Sequence, residues 1–157
     1  MKKLNVDMEG LCRVVAPPTD KEGSAKNVLL YGAGRDLKGY MFELEFISRL
    51  LRKSGETGGN FDFIDSISAF VDGNPRKQDH KVKFAGRDYD VLPPESLHHL
   101  SDAENTVVIV SSTRFAWEIE KSMTREFGDE SFSYVLAPEL DCSFGGGAGV
   151  LPRYSGI

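Results

Sequence analysis

A short apolar segment runs directly into a glycine-rich turn in the first quarter of the chain. Residues 28–31 read Val-Leu-Leu-Tyr, and Gly32, Ala33 and Gly34 follow them. A fully apolar run of this length, bounded by a turn, is typical of a parallel strand buried on both faces. Glycines after such a strand let the backbone approach a phosphate, and the next helix offers free N–H groups. This order of elements predicts an α/β fold with a glycine turn suited to a phosphate.

The glycine turn departs from the dinucleotide-binding pattern at one position. That pattern has a third small residue three positions after Gly34, where this chain has Leu37, and Gly39 comes two residues late. Arg35 could pair with a pyrophosphate through two parallel hydrogen bonds. Two interpretations of the turn follow. It is either a phosphate site that lacks the third small residue of the pattern and includes Ala33 and Arg35, or a strand-to-helix turn that binds nothing.

Apolar runs and helical periodicity alternate along most of the chain. Alternation of this kind predicts a parallel sheet with right-handed crossovers. We expect a minimal Rossmann-like, doubly wound α/β domain, with a mostly parallel sheet of about four or five strands and helices on both faces. The segments that carry this expectation are strands at 28–31, 106–110 and 133–136, a strand in the last part of 61–71, and helices at 37–51 and 114–127.

Composition divides the chain into three segments. Residues 1–26 are expected to form an N-terminal arm and linker, because a short apolar patch is followed by two prolines and polar residues. Residues 27–138 hold the Rossmann-like domain. Residues 139–157 are glycine-rich and lack periodicity, so we expect a mobile tail. Within the domain, two short apolar alternations between residues 81 and 92 fit either a small hairpin or a single strand.

Two further loops are expected beside the glycine turn, because ligands of open α/β sheets bind beyond the carboxyl ends of the strands. Asp72 and Asn74 follow the second strand. An acidic residue there commonly accepts hydrogen bonds from ribose hydroxyls, but both residues could equally build the turn. Ser111, Ser112 and Thr113 follow a later strand. They could bind a phosphate, a sugar or a nucleobase edge, or they could cap the helix that follows.

Composition also argues against several classes of protein. The net charge is −5 and the 19 Lys and Arg residues are scattered, which argues against nucleic-acid binding. No apolar run approaches the ~18 residues of a membrane span. Asp7 and Glu9 interrupt the start of the chain, so we expect no signal peptide and a cytoplasmic location. Cys12 and Cys142 are far apart and belong to no metal-binding motif.

Nothing in the sequence predicts catalytic or metal-binding residues. The three histidines fit a solvated surface, and no nucleophile motif, metalloprotease motif or Tyr-x-x-x-Lys pair is present. The chain is therefore expected to be a binding module or accessory domain, forming a homo-oligomer or working with a partner catalytic chain. An NAD(P)-dependent sugar-nucleotide oxidoreductase or epimerase fragment, and a protein-interaction domain without a ligand, are the alternatives.

Several phrases, taken in order, resemble Rossmann-like domains of bacterial polysaccharide and nucleotide-sugar biosynthesis proteins. They are LLYGAG, AFVDGNPRKQDHKV, VLPPESL and NTVVIVSS, within residues 27–138. The resemblance implies a pocket for a nucleotide or nucleotide-sugar at Gly32, Gly34, Asp72 and residues 111–113. In related sugar N-acetyltransferases such a domain holds the UDP-sugar, while a left-handed β-helix transfers the acetyl group. No hexapeptide repeats follow residue 138 here. Nucleotide-sugars and NAD(P) are therefore both candidate ligands of this chain.

Overall fold

The computed structural model describes residues 1–15, 26–32, 66–84, 87–112 and 115–142. Several sequence predictions lie outside these ranges. They are the helix at 37–51, the tail beyond residue 142, and the site residues Ala33, Gly34, Arg35 and Thr113.

Eight strands, four helices and two 3-10 turns make up the described residues. The strands are Lys2–Lys3 (β1), Asn27–Tyr31 (β2), Ile67–Val71 (β3), Val82–Phe84 (β4), Arg87–Tyr89 (β5), Val91–Leu92 (β6), Thr106–Val110 (β7) and Ser133–Leu136 (β8). The helices are Met8–Val15 (α1), Pro75–Gln78 (α2), Ala116–Phe127 (α3) and Ala137–Cys142 (α4), and the 3-10 turns are Pro94–His98 and Ala103–Asn105.

Six of the strands form one parallel sheet in the order β1-β8-β7-β2-β3-β6. The predicted α/β class with a mostly parallel sheet is confirmed, and the sheet has six strands instead of four or five. From β2 the chain moves outward on one side through β3 and β6. It then returns to β7 on the other side of β2 and continues outward to β8. The strand order therefore reverses between β2 and β7.

Both faces of this sheet are covered by apolar contacts. The two central strands are almost completely buried, and successive residues of each strand point to opposite faces. One face packs against α1, α4 and the β4–β5 hairpin. The other face packs against α3 and Leu97. This two-sided burial explains why the sequence of each central strand is continuously apolar.

The N-terminal segment contributes directly to the sheet in its described part, residues 1–15. Lys2 and Lys3 pair with Ser133 and Tyr134, so β1 forms one edge of the sheet. Helix α1 buries Leu11, Cys12 and Val15 in the core. The arm expected at 1–26 thus begins with an edge strand and a core helix.

The segment between residues 81 and 92 combines both structures that its sequence allows. Strands β4 and β5 pair antiparallel as a separate hairpin. Strand β6 then joins the main sheet, where Val91 and Leu92 pair with Phe70 and Val71 of β3.

Candidate functional site

Gly32 directly follows β2 and lies between the ends of two neighbouring strands. Its amide donates to the carbonyl oxygen of Val71 at 2.7 Å, which ties the ends of β2 and β3 together. Its φ is +117°, a conformation that side-chain-bearing residues rarely adopt. A Cβ built here would lie 3.2 Å from Ser111 Oγ and 3.5 Å from the Ser112 amide nitrogen. The backbone conformation and the close approach of β7 both require glycine at this position.

Ser111 joins the end of β7 to the end of β2. Its amide donates to the Tyr31 carbonyl at 3.0 Å. Its Oγ lies 3.1 Å from both the Tyr31 and the Gly32 carbonyl oxygens, and only 1 % of the residue is exposed. One hydroxyl proton serves these two acceptors in turn. Ser111 therefore fixes the peptide of Gly32, and its own hydroxyl is already engaged within the protein.

Ser112 contacts the residue that precedes α3. Its Oγ accepts a hydrogen bond at 3.0 Å from the amide of that residue, Phe115. The side chain thus forms a local turn contact before the helix and does not cap an amide inside it. Among the described residues, the Ser112 amide has no backbone acceptor. This N–H lies beside Gly32, where an anionic group could accept from it.

Asp72 and Asn74 build the turn after β3. The Asp72 amide donates to Leu92 at 3.0 Å, and Asp72 Oδ1 accepts from the Asn74 amide at 2.8 Å. Asn74 Oδ1 in turn accepts from the Arg76 amide at 3.0 Å and caps α2. The turn-building interpretation therefore accounts for these contacts. A carboxylate offers several acceptor positions on its two oxygens, so the turn is compatible with sugar hydroxyls as donors.

The pKa of the Tyr31 hydroxyl reflects the burial and the negative charge at this edge of the sheet. Burial raises the pKa of this hydroxyl to about 12, and the carboxylates of Asp72, Glu126 and Glu95 add to the shift. The hydroxyl therefore stays protonated at neutral pH and does not act as a base.

The structure thus brings together Gly32, Ser111 and Ser112, with Asp72 one strand further along the sheet. The three histidines are all exposed, as the sequence predicts.

A cavity of about 290 Å³ also lies at the carboxyl ends of β1 and β8, next to α1 and α4. Strand β7 separates it from Gly32, so it is not part of the candidate site.

In the described ranges, no helix combines the length and the apolar character needed to cross a bilayer. In those same ranges, no three His, Cys, Asp or Glu side chains come together as a metal site would require.

Comparison of the chain with protein-family models, curated proteins and solved structures found no significant match.

Proposed function

We propose that this chain is a Rossmann-like module that binds a nucleotide or nucleotide-sugar at the carboxyl ends of β2 and β7. The observation that carries the proposal is Gly32, held at a φ of +117° against Ser111 and Ser112. This contact lies where the strand order reverses. In open α/β sheets, ligands bind in the crevice at such a point.

The strand order supports the Rossmann-like part of the proposal. Counted from β2, the strands β6-β3-β2-β7-β8 follow the order 3-2-1-4-5 that doubly wound nucleotide-binding domains share. The resemblance of the LLYGAG and NTVVIVSS phrases supports a role in bacterial surface-polysaccharide metabolism. Both phrases end at the candidate site.

Each part of the ligand has a matching group in this arrangement. The phosphates lie at Gly32 and the Ser112 amide, and the sequence adds Ala33, Gly34, Arg35 and Thr113 to the same subsite. Sugar hydroxyls donate to Asp72.

The chemistry at this edge favours binding over catalysis. Ser111 donates to backbone carbonyls, and within the described ranges its hydroxyl contacts no base that would activate it. Tyr31, with its raised pKa, does not accept a proton at neutral pH. We therefore assign any reaction to a partner catalytic chain or to a further region.

A thermal-shift panel tests the proposal. The ligands are UDP-sugars, CDP-sugars, NAD, NADP and S-adenosylmethionine. A ligand at a hundred times its Kd stabilises the fold by about 2.7 kcal/mol, which raises the Tm of a chain of this length by about 5–10 °C. A shift with a nucleotide-sugar is the expected result. A shift with NAD or NADP alone would favour the oxidoreductase alternative, and no shift with any ligand would refute nucleotide binding.

Two variants show whether the ligand occupies the predicted turn. Gly34→Val blocks the approach of a phosphate to the glycine turn and should abolish the shift. Ser101→Ala is the control, because Ser101 is exposed and precedes β7, at the opposite end of that strand from Ser111. Unchanged affinity in Gly34→Val would place the ligand elsewhere.

A further inference from the structure

The cavity at the carboxyl ends of β1 and β8 is separate from the proposed nucleotide site. Its lining residues belong to two connections, the one from β1 into α1 and the one from β8 into α4. Its volume of about 290 Å³ is close to the lower end of the range for small-molecule sites, about 300–1000 Å³. At ~30 Å³ per molecule of liquid water, it equals the volume of roughly ten waters. The cavity is therefore large enough for a small organic molecule.

Most of the cavity wall is apolar. Five aliphatic residues line it, and they are Leu4, Val6, Val135, Leu136 and Leu140. The exposed fraction of Val135, Leu136 and Leu140 is only 1 % each, so close packing holds this part of the wall in place. Transfer of a hydrocarbon group from water to such a wall is favourable. A ligand that fits this wall has an apolar body.

The polar part of the wall is acidic. It consists of Asn5, Asp7 and Glu139, and no lysine or arginine is among the described residues that line the cavity. The ammonium group of Lys3 lies 3.1 Å from the Glu139 carboxylate and 3.0 Å from that of Glu120. One positive charge is thus shared by two carboxylates, and Asp7 adds a third negative charge. A cleft with an excess of one charge attracts ligands of the opposite charge, so this cavity favours a cation.

Asp7 is the lining carboxylate that can receive a positive group. Its Oδ1 accepts from the Gly10 amide at 2.7 Å, an N-cap contact that holds the side chain at the start of α1. Among the described residues, Oδ2 has no hydrogen-bond donor. Glu139 is already engaged by Lys3, so the role of the cation partner does not depend on it.

We propose that this cavity binds a small amphiphilic amine, with its hydrocarbon part against the five aliphatic residues and its ammonium group at Asp7. An ammonium group has three donors and no acceptor, which suits a carboxylate oxygen. The inference does not depend on nucleotide binding, because β7 separates the cavity from Gly32.

NMR titration of the full chain with hexylammonium chloride tests this inference. The amide signals of residues 4–7 and 135–140 should shift and reach saturation. Hexanoate has a hydrocarbon chain of similar length and the opposite charge. It should bind at least about 5-fold more weakly, because a repulsive pair of charges replaces an attractive one.

Asp7→Asn removes the charge and keeps the cap of α1, since asparagine is an equally good N-cap residue. It should weaken hexylammonium binding about 2- to 5-fold, as expected for one ion pair at an exposed carboxylate. Asp129→Asn is the matched control and should bind like the wild type. Asp129 is exposed and precedes β8, at the opposite end of that strand from the cavity.

Several outcomes would overturn the inference. The cavity is not a ligand site if hexylammonium produces no saturating shifts, or produces them only at other residues. Equal affinity for hexanoate, or equal affinity of Asp7→Asn and Asp129→Asn for hexylammonium, would show that the ligand is not selected by its charge. Tighter binding of Nα-acetyl-lysine amide than of hexylammonium would assign the cavity to a lysine side chain of another protein instead of a free amine.

Discussion

Substitution of Gly32 tests the geometry of the strand ends most directly. A residue with a side chain at a φ of +117° is strained, which costs about 1–3 kcal/mol. The added methyl group would also lie 3.2 Å from Ser111 Oγ. That hydroxyl is buried and held by two carbonyls, so it cannot move away without losing a hydrogen bond. We expect Gly32→Ala to destabilise the fold by about 2–3 kcal/mol.

Gly73→Ala is the matched control. A Cβ at Gly73 meets only Pro94 Cγ, at 3.8 Å, which is ordinary contact, and Gly73 has no left-handed φ. This substitution should leave stability unchanged or raise it by about 0.4–1 kcal/mol, because alanine reduces the freedom of the unfolded chain.

Urea unfolding measures both variants. For Gly32→Ala we expect a lower midpoint at an unchanged m value, and a Tm about 4–12 °C below that of the wild type. The double variant Gly32→Ala/Ser111→Ala removes the 3.2 Å contact, so its loss should be smaller than the sum of the two single losses. A Gly32→Ala protein as stable as Gly73→Ala would refute the reasoning.

Three further predictions concern stability. Ser111→Ala removes a buried donor and should lower the free energy of unfolding in urea by about 1–2 kcal/mol. The exposed control Ser101→Ala should lower it by less than about 0.5 kcal/mol, and equal losses would contradict the role of Ser111. Met123→Ala, at a fully buried position of α3, should cost about 2–5 kcal/mol, and a loss comparable to a surface substitution would show that α3 packs differently. Because folding raises the Tyr31 pKa from 10.0 to about 12, its contribution to stability is complete below pH 10 and is lost as the pH rises through 12. Tyr31→Phe should therefore reduce the fall of stability between these pH values, and an unchanged slope would contradict the assignment.

The central part of the fold could be predicted from the sequence with accurate bounds. Strands β7 and β8 have the predicted ranges, 106–110 and 133–136, and β2 differs by one residue. Helix α3 ends at Phe127 as predicted and begins at Ala116, two residues after its predicted start at Arg114. These elements are buried on one or both faces, so their apolar residues follow the period of the element itself.

The edges of the sheet could not be predicted in this way. Strands β1 and β6 have two residues each, which is too short to show an alternating pattern. Strand β1 consists of two lysines that pair with β8. Lys3 lies within 3.2 Å of the carboxylates of Glu120 and Glu139, and these contacts join residues more than a hundred positions apart. Tertiary contacts of this kind decide the structure where local preference is weak.

The order of loops at the candidate site could be predicted, but the roles of its hydroxyls could not. Parallel strands bring their carboxyl ends to one edge, so the ends of β2, β3 and β7 must be neighbours once the sheet is assigned. Ser111 and Ser112 are adjacent in sequence and chemically identical. The Ser111 hydroxyl bonds to the end of β2 and the Ser112 hydroxyl bonds to the residue before α3, because successive residues of an extended chain point in opposite directions. Sequence alone does not show which serine does which.

The charge around Tyr31 determines how a nucleotide-sugar would lie across this edge. The carboxylates of Asp72, Glu126 and Glu95 all raise the Tyr31 pKa, and Asp72 directly follows β3. Phosphates would be repelled there and are better placed beside Ser112 and the start of α3, where backbone N–H groups and the helix dipole attract anions. Sugar hydroxyls donate to carboxylates, so they suit the Asp72 side.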